Sequence, residues 1–170
     1  MIPMEHGSFL RHMTSAIVLF VFICLSNSCN SHGKGMQKVP STSLLPKGDL
    51  IIGGNFTGKV WLNRLVESDT VFNINAGNVT FEAGARTHWH YHPGGQILLV
   101  TEGKGRYQEE GLPVKTIRKG EVIRCEPSVR HWHGASPDSA MTHIAIGTNQ
   151  QKGAVVWLKP VTDQEYDAIR

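Results

Sequence analysis

Cysteine is scarce in this 170-residue sequence, and its three cysteines cannot form a disulfide framework. Cys24 and Cys29 lie in the first thirty residues, whose composition differs from the rest, so Cys125 stands alone in the remaining chain. Structural zinc sites usually close with several cysteines at tight spacings, which one cysteine cannot provide. The sequence therefore argues against both kinds of cysteine-stabilised fold and predicts that Cys125 is a small buried strand residue.

Charged side chains are also few, at 18% of the sequence, and the net charge of +3 is spread along the chain. The densest basic stretch, residues 115–119, is interrupted by Thr116 and Ile117. A nucleic-acid-binding surface needs a concentrated basic stripe or patch. We therefore expect no nucleic-acid partner, and the length and 40% hydrophobic content predict one globular domain.

The apolar run from Ala16 to Leu25 covers about ten residues, roughly half of what a membrane-spanning helix needs. It follows Arg11 and precedes small polar residues, which is the order of a secretory signal peptide. This order favours a signal peptide over residues 1–28 and export to the periplasm or cell envelope, rather than a permanent transmembrane anchor.

The stretch from Leu25 to Cys29 is similar to a bacterial lipobox, in which Cys29 would be lipidated, although Ser26 stands where a lipobox usually has Leu. Ordinary cleavage after Ser28 and an incidental cysteine are the alternatives. A lipid anchor at Cys29 would be the one expected contact with a membrane. Residues 29–55 are predicted to form a flexible tether, and residues 56–170 the folded domain.

Long helical periodicities are scarce as well, whereas short β-prone runs separated by turn residues recur from residue 56 onward. This spacing predicts an all-β sandwich or barrel. The predicted strands are Lys59–Leu65, Thr70–Asn75, Asn78–Ala83, Gln96–Glu102, Arg106–Glu109, Val114–Arg118, Glu121–Cys125, His131–Ala135, Met141–Gly147 and Ala154–Leu158. The segment Thr162–Glu165 has the form of a capping box and predicts a short C-terminal helix.

Histidine is the abundant functional residue, because six of the nine histidines fall between His88 and His143. His90 and His92 are alternate residues of an extended segment, so their side chains share a face and can bind one metal ion. Residues 93–95 turn the chain, which lets Gln96 bring its side-chain oxygen to the same point. A second pair, His131 and His133, can supply a fourth ligand. The pattern predicts an open, functional metal site.

The spacing of these residues resembles the two motifs of the cupin superfamily. The first motif is a glycine, five residues, HxH, three or four residues, Glu, six residues and a glycine, and this chain differs from it only in having Gln instead of Glu. The second motif has a glycine, then Pro-Gly and a histidine, and here Ser128 replaces the second glycine. The matching residues are Gly84, His90, His92, Gln96 and Gly103 in the first motif, and Gly120, Pro127 and His131 in the second.

Over residues 56–166 the chain resembles a particular group within the superfamily. Three stretches carry this resemblance: Phe81–Thr87, His131–Ala135 and Met141–Ala145. They resemble small single-domain cupins related to carboxymuconolactone decarboxylase-associated proteins, a group that includes manganese-dependent hydroxynitrile lyases. The resemblance implies an all-β cupin fold, a conical β-barrel also described as a double-stranded β-helix or jelly roll, often as a homodimer.

The same resemblance implies one divalent transition metal per chain, manganese first, with iron, nickel and zinc as alternatives. Its ligands would be His90, His92, Gln96 and His131, with His133 and His143 nearby as non-ligands. Neutral ligands leave the full +2 charge of the ion in the cavity, which favours Lewis-acid chemistry. Histidine titrates near neutral pH, so His133 and His143 are the candidate acid and base.

These features predict a metal-dependent lyase acting on a small oxygenated molecule, with cyanohydrin cleavage as the most concrete example. A dioxygenase-like cupin oxidoreductase is the alternative enzyme. A non-enzymatic cupin that binds a small molecule or a metal in the cell envelope is the alternative outside enzymology.

The sequence also predicts where four residues near the motifs lie in the fold. Arg86 is interpreted as a surface residue at a strand end rather than a cation at the pocket rim, and His88 is placed at the pocket rim. Trp89 and Trp132 alternate with the histidines, which predicts that they pack in the core on the opposite face.

Overall fold

The structure is a computed structural model that describes residues 43–168. The predicted signal peptide, Cys29 and most of the predicted tether lie outside these residues, so export and lipidation stay predictions. Over 43–168, none of the helices is long and apolar enough to cross a membrane.

Twelve strands, one 3₁₀ turn and one short helix make up the described part of the chain. The strands are β1 (Asp49–Ile51), β2 (Phe56–Thr57), β3 (Val60–Val66), β4 (Ile74–Phe81), β5 (Arg86–Thr87), β6 (His90–Tyr91), β7 (Gln96–Glu109), β8 (Lys115–Arg118), β9 (Val122–Cys125), β10 (His131–Ala135), β11 (Met141–Thr148) and β12 (Val156–Trp157). The 3₁₀ turn is Gln150–Lys152 and the helix, α1, is Asp163–Asp167. The prediction of an all-β protein with a short C-terminal helix is confirmed.

The strands pair antiparallel in the order β1-β3-β4-β11-β7-β10-β5-β2. The fourteen-residue β7 is the central element, because its first half pairs with β11 and β9 and its second half pairs with β10 and β8. One strand therefore belongs to both walls of the curled sheet. This arrangement places the histidines that flank β7 in sequence, on β6 and β10, beside each other in space.

The continuity of β7 differs from the two strands predicted at Gln96–Glu102 and Arg106–Glu109. Gly103 has a φ of +71° but still pairs with Met141 of β11, and the register shifts nearby, between Glu102 and Val100, without ending the strand. A side chain at Gly105 would overlap the Met141 side chain and the Gly134 carbonyl. The two glycines thus permit curvature and close packing, whereas the sequence pattern indicates a turn.

A single strand, β4, likewise replaces the predicted strands Thr70–Asn75 and Asn78–Ala83. Residues 69–72 form a turn, because the Asp69 carboxylate accepts hydrogen bonds from the backbone N–H groups of Val71, at 2.8 Å, and Phe72, at 2.6 Å. Gly77 lies inside the strand and pairs with neighbours on both sides. The apolar residues that favour a strand at 70–72 are therefore exposed turn residues.

The predicted tether of residues 29–55 is too long at its C-terminal end. Asp49–Ile51 pairs with β3 in the register Asp49 to Leu62 and Ile51 to Val60. A three-residue edge strand gives little periodic signal, and it forms because β3 offers an unpaired edge.

The C-terminal helix begins with the predicted capping box, in which the Thr162 hydroxyl accepts from the Glu165 N–H and the Glu165 carboxylate accepts from the Thr162 N–H. Tyr166 of this helix packs with Trp132 and Trp89 in a second apolar cluster outside the main core. The predicted burial of both tryptophans is confirmed, and Cys125 is buried as expected.

Arg86 is only 6% exposed, so its predicted position on the surface is wrong. Its guanidinium donates to the Val161 carbonyl and to Asp163, the latter at 2.6 Å, and lies 4.6 Å from the Tyr166 ring centre. Arg106 lies 4.3 Å from the same ring, and the Tyr166 hydroxyl donates to the Ala135 carbonyl at 2.6 Å. These partners come from distant parts of the chain and leave no local sequence signal. They attach α1 to β5 and β10, next to the histidine cluster.

Candidate metal centre

Three of the predicted ligands come together where β6 meets β10. His90 opens β6, His131 opens β10, and the two residues are direct cross-strand partners. His92 follows β6 on the same face as His90. The nearest ring nitrogens of these three histidines all lie within 4.8 Å of one another. The structure therefore contains a histidine triad that could hold a metal ion.

Hydrogen bonds to backbone carbonyls orient two of the three rings. The Nδ1 atom of His90 lies 2.9 Å from the His88 carbonyl oxygen, and the Nδ1 atom of His131 lies 2.9 Å from that of Val129. A carbonyl can only accept, so Nδ1 carries the proton in both rings. This leaves the Nε2 lone pair of each ring for the interior, as in histidines that bind a metal.

Gln96, the predicted fourth ligand, begins β7 and brings its Oε1 atom within 3.2 Å of the His131 Nε2 atom. In this orientation both atoms are acceptors, as expected of two ligands of one cation. Burial lowers the pKa of His131, and it lowers that of His92 to about 4, so protonation at neutral pH does not supply the charge. The His92 Nε2 atom is also buried with no hydrogen-bond partner among residues 43–168.

A divalent transition metal fits this set of donors, because imidazole nitrogens and an amide oxygen are ligands that such ions accept. Burial, followed by repulsion from His131, also lowers the pKa of His90 well below its ordinary value. All three histidines are therefore in the neutral form that metal binding requires.

His133 and His143 lie next to the triad and face each other, with ring centres 4.8 Å apart. Both are buried, and within the described chain the Nδ1 of His133 and both ring nitrogens of His143 have no hydrogen-bond partner. Phe81 packs against both rings, at 5.8 and 5.6 Å between centres. The backbone N–H of His133 donates to the Thr87 hydroxyl at 3.1 Å, which fixes the strand at this point.

Burial also determines the protonation of this histidine pair. It lowers the pKa of His143 to about 4, and it lowers that of His133 well below the ordinary value, with a further contribution from His143. Both rings are neutral at neutral pH and can accept a proton from a bound molecule.

A cavity of about 120 Å³ connects the two groups of histidines. Six of its lining side chains are polar: Thr87, His90, His92, Gln96, His133 and His143. The others are aliphatic or aromatic, and within residues 43–168 the lining contains no aspartate, glutamate, lysine or arginine. The cavity therefore suits a small, largely apolar molecule with one polar reacting group.

Trp157 and Phe56 are cavity residues that the sequence pattern did not reveal. The Trp157 ring lies 4.8 Å from that of His90 and 5.5 Å from that of Phe56, between ring centres. Both residues belong to two-residue strands, which have no measurable periodicity. His88, predicted at the pocket rim, does not line this cavity, and its carbonyl orients His90 instead.

The metal-free protein should lose stability in mild acid because His143 is neutral when folded and titrates near pH 6.5 when unfolded. Between about pH 6.5 and 4 the unfolded chain binds the extra proton, so the free energy of unfolding falls as pH falls. One such histidine contributes about 1.4 kcal/mol per pH unit. Urea unfolding at several pH values should give a shallower pH dependence for His143→Gln, and equal slopes would contradict the prediction.

The fold and this site define the class of protein, and comparison with known proteins agrees. The Cupin domain family matches residues 77–147. A 111-residue alignment with an (R)-mandelonitrile lyase from Granulicella tundricola is 46% identical and covers 65% of this chain and 85% of the relative. The chain belongs to the cupin family.

Solved structures extend the likeness to three dimensions. A cupin-like protein from Thermotoga maritima is 48% identical, with a TM-score of 0.72, over 74% of this chain and 96% of that one. A DMSP lyase from Ruegeria pomeroyi is 19% identical, with a TM-score of 0.53, over 70% of this chain and 61% of that one, and shares the fold alone. The predicted cupin barrel and the resemblance to hydroxynitrile lyases are confirmed.

Proposed function

We propose that this cupin is a metal-dependent lyase that cleaves, or in reverse forms, small aromatic cyanohydrins. The observation that carries the proposal is the pairing of a neutral donor set, His90, His92, Gln96 and His131, with two buried, neutral histidines across one small cavity. The likeness to an (R)-mandelonitrile lyase supports the same reaction class.

A bound divalent ion, manganese in the first instance, would supply Lewis-acid stabilisation of negative charge on oxygen or cyanide. Residues of the chain would bind the substrate and transfer the proton. Phe56, Phe81 and Trp157 supply apolar walls for an aromatic ring. These largely apolar walls offer water few hydrogen-bond partners near the reacting carbon.

Proton transfer is assigned to His133 and His143. In the cleavage direction one of these rings accepts the hydroxyl proton of the cyanohydrin. The carbon–cyanide bond then breaks, its electron pair leaves with cyanide, and an aldehyde remains. The proton returns to cyanide, so the products are the aldehyde and hydrogen cyanide. Both rings are suitable because neither has another hydrogen-bond partner within residues 43–168.

The assay is cleavage of mandelonitrile by the manganese-loaded protein, followed through the ultraviolet absorbance of benzaldehyde. Activity should exceed that of the metal-free protein and should be the same in air and under anaerobic conditions. A rate equal to that of the metal-free protein would refute the proposal. Activity that requires oxygen would indicate the dioxygenase alternative, and small-molecule binding without turnover would indicate the non-enzymatic one. Nickel, iron and zinc are tested in parallel.

We further propose that the protein acts as an exported homodimer. Oligomeric state is read from light scattering and location from cell fractionation.

A further inference from the structure

A second cavity of about 320 Å³ adjoins the metal cavity, and we call it the outer chamber. It lies between β3, β4 and β11, and its walls include Arg64, Glu67 and Asn75. The two cavities share three lining residues, Leu62, Val79 and Ala145. A molecule that reacts at the metal end can therefore extend toward the outer chamber.

Small residues create this space. Gly77 on β4 is the direct partner of Ala145 on one side and of Arg64 on the other. A Cβ atom at Gly77 would lie 2.7 Å from the side chain of Leu62, which lines both cavities, so a larger residue would displace that side chain. The register places Arg64 on the same row as Gly77 and Ala145, at the outer end of the shared wall.

The guanidinium of Arg64, an exposed residue, has no hydrogen bond or ion pair in the part of the chain that the structure describes. Arg86 and Arg106 differ, because each binds a carboxylate of the C-terminal helix. The Asn75 amide, by contrast, is already occupied: its oxygen accepts from the Gly147 N–H and its nitrogen donates to Gln150. The guanidinium of Arg64 is thus an available donor in the wall of the outer chamber.

Arg64 is the one arginine or lysine in the described lining of either cavity. Among residues 43–168, the inner cavity has no acidic lining residue, and the predicted metal ligands are neutral. Glu67 is the one carboxylate in the described wall of the outer chamber, and it is not within ion-pair distance of Arg64. A guanidinium can bind a carboxylate through two parallel hydrogen bonds, which adds geometric selectivity to the charge attraction.

The register also relates Arg64 to the wall that the two cavities share. One strand, β4, separates Arg64 on β3 from Ala145 on β11, which corresponds to about 10 Å between the outer two strands. Because Ala145 lines both cavities, a carboxylate held by the Arg64 guanidinium would lie on the outer side of this shared wall.

We propose that the outer chamber is a carboxylate subsite and that the substrates are aromatic compounds with an anionic group, held by Arg64, opposite the reacting carbon. The identity of the reacting group rests on the proposed function, whereas the anion preference does not.

The test compares the binding of 4-formylbenzoate and benzaldehyde to the metal-loaded protein by isothermal titration calorimetry. The carboxylate should tighten binding by about fivefold, the size expected of a partly exposed ion pair. Raised salt should reduce this preference, because exposed charges are screened. Arg64→Met should abolish it and leave benzaldehyde binding unchanged, whereas the matched variant Glu67→Gln should keep or enlarge it.

Equal affinity for the two aldehydes, or no measurable binding of either, would overturn the subsite. A preference that persists in Arg64→Met would also overturn it, because the carboxylate would then bind elsewhere, at the metal for example. Calorimetry does not depend on turnover. If the preference follows Arg64 while mandelonitrile is not cleaved, the proposed function fails and the subsite stands; if mandelonitrile is cleaved without any preference, the reverse holds.

Discussion

Replacing His131 by Ala should reduce the metal content of the purified protein from about one ion per chain to a small fraction of that. His131 is fully buried, is the cross-strand partner of His90 and lies 3.2 Å from the Gln96 oxygen, so the substitution removes one of the three ring nitrogens of the triad. Lyase activity should fall with the metal content. Elemental analysis after dialysis against manganese measures the first effect, and the mandelonitrile assay the second.

His88→Ala is the matched control for this experiment. His88 is also a histidine beside β6, but its side chain lies outside the triad and outside the cavity lining. Its backbone carbonyl, which orients His90, is retained in the variant. The variant should therefore bind metal as the parent does. Loss of metal in His88→Ala, or full metal content in His131→Ala, would contradict the assigned triad.

Replacing His133 by Gln should lower the rate of mandelonitrile cleavage by about 10² to 10⁴, the usual contribution of a positioned general base. Gln keeps much of the volume of the buried ring but cannot accept the proton at neutral pH. The metal content should not change, because His133 lies outside the triad. Because the His133 ring centre is 5.3 Å from that of the triad residue His90, the cleavage rate and the metal content are measured on the same preparation.

The parallel variant His143→Gln distinguishes the two histidines. The larger loss of kcat identifies the ring that accepts the hydroxyl proton, and the smaller loss identifies the ring that supports it. Unchanged rates in both variants would refute the assignment of proton transfer to this pair. A proportional loss of metal and rate in His133→Gln would instead show that His133 serves metal binding.

Most of the candidate metal centre could be predicted from the sequence because its ligands lie in two short motifs. The spacing of His90, His92 and Gln96 is local, and alternation along an extended chain determines which side chains share a face. The structure confirms that both histidines point toward His131. The capping box at Thr162 is local in the same sense and was equally predictable.

The environment of the site was less predictable because it depends on distant contacts. Arg86 is buried by partners at Val161 and Asp163, and Trp157 reaches His90 through a two-residue strand. Glycines in β4 and β7 indicate turns by composition, but here they allow strands to approach closely. Such errors are expected wherever tertiary packing, rather than the local sequence, determines the conformation and burial of a residue.

The sequence alone predicted the chemical type of the centre, because two histidine pairs and a neutral glutamine stand at the spacing of the cupin motifs. Tertiary structure decided the rest. Folding buries His133 and His143 without partners, which lowers their pKa, and it aligns Arg64 with Gly77 and Ala145 at the outer end of the cavity. Desolvation and cross-strand register both arise from residues far apart in the chain, so neither can be seen in a local pattern.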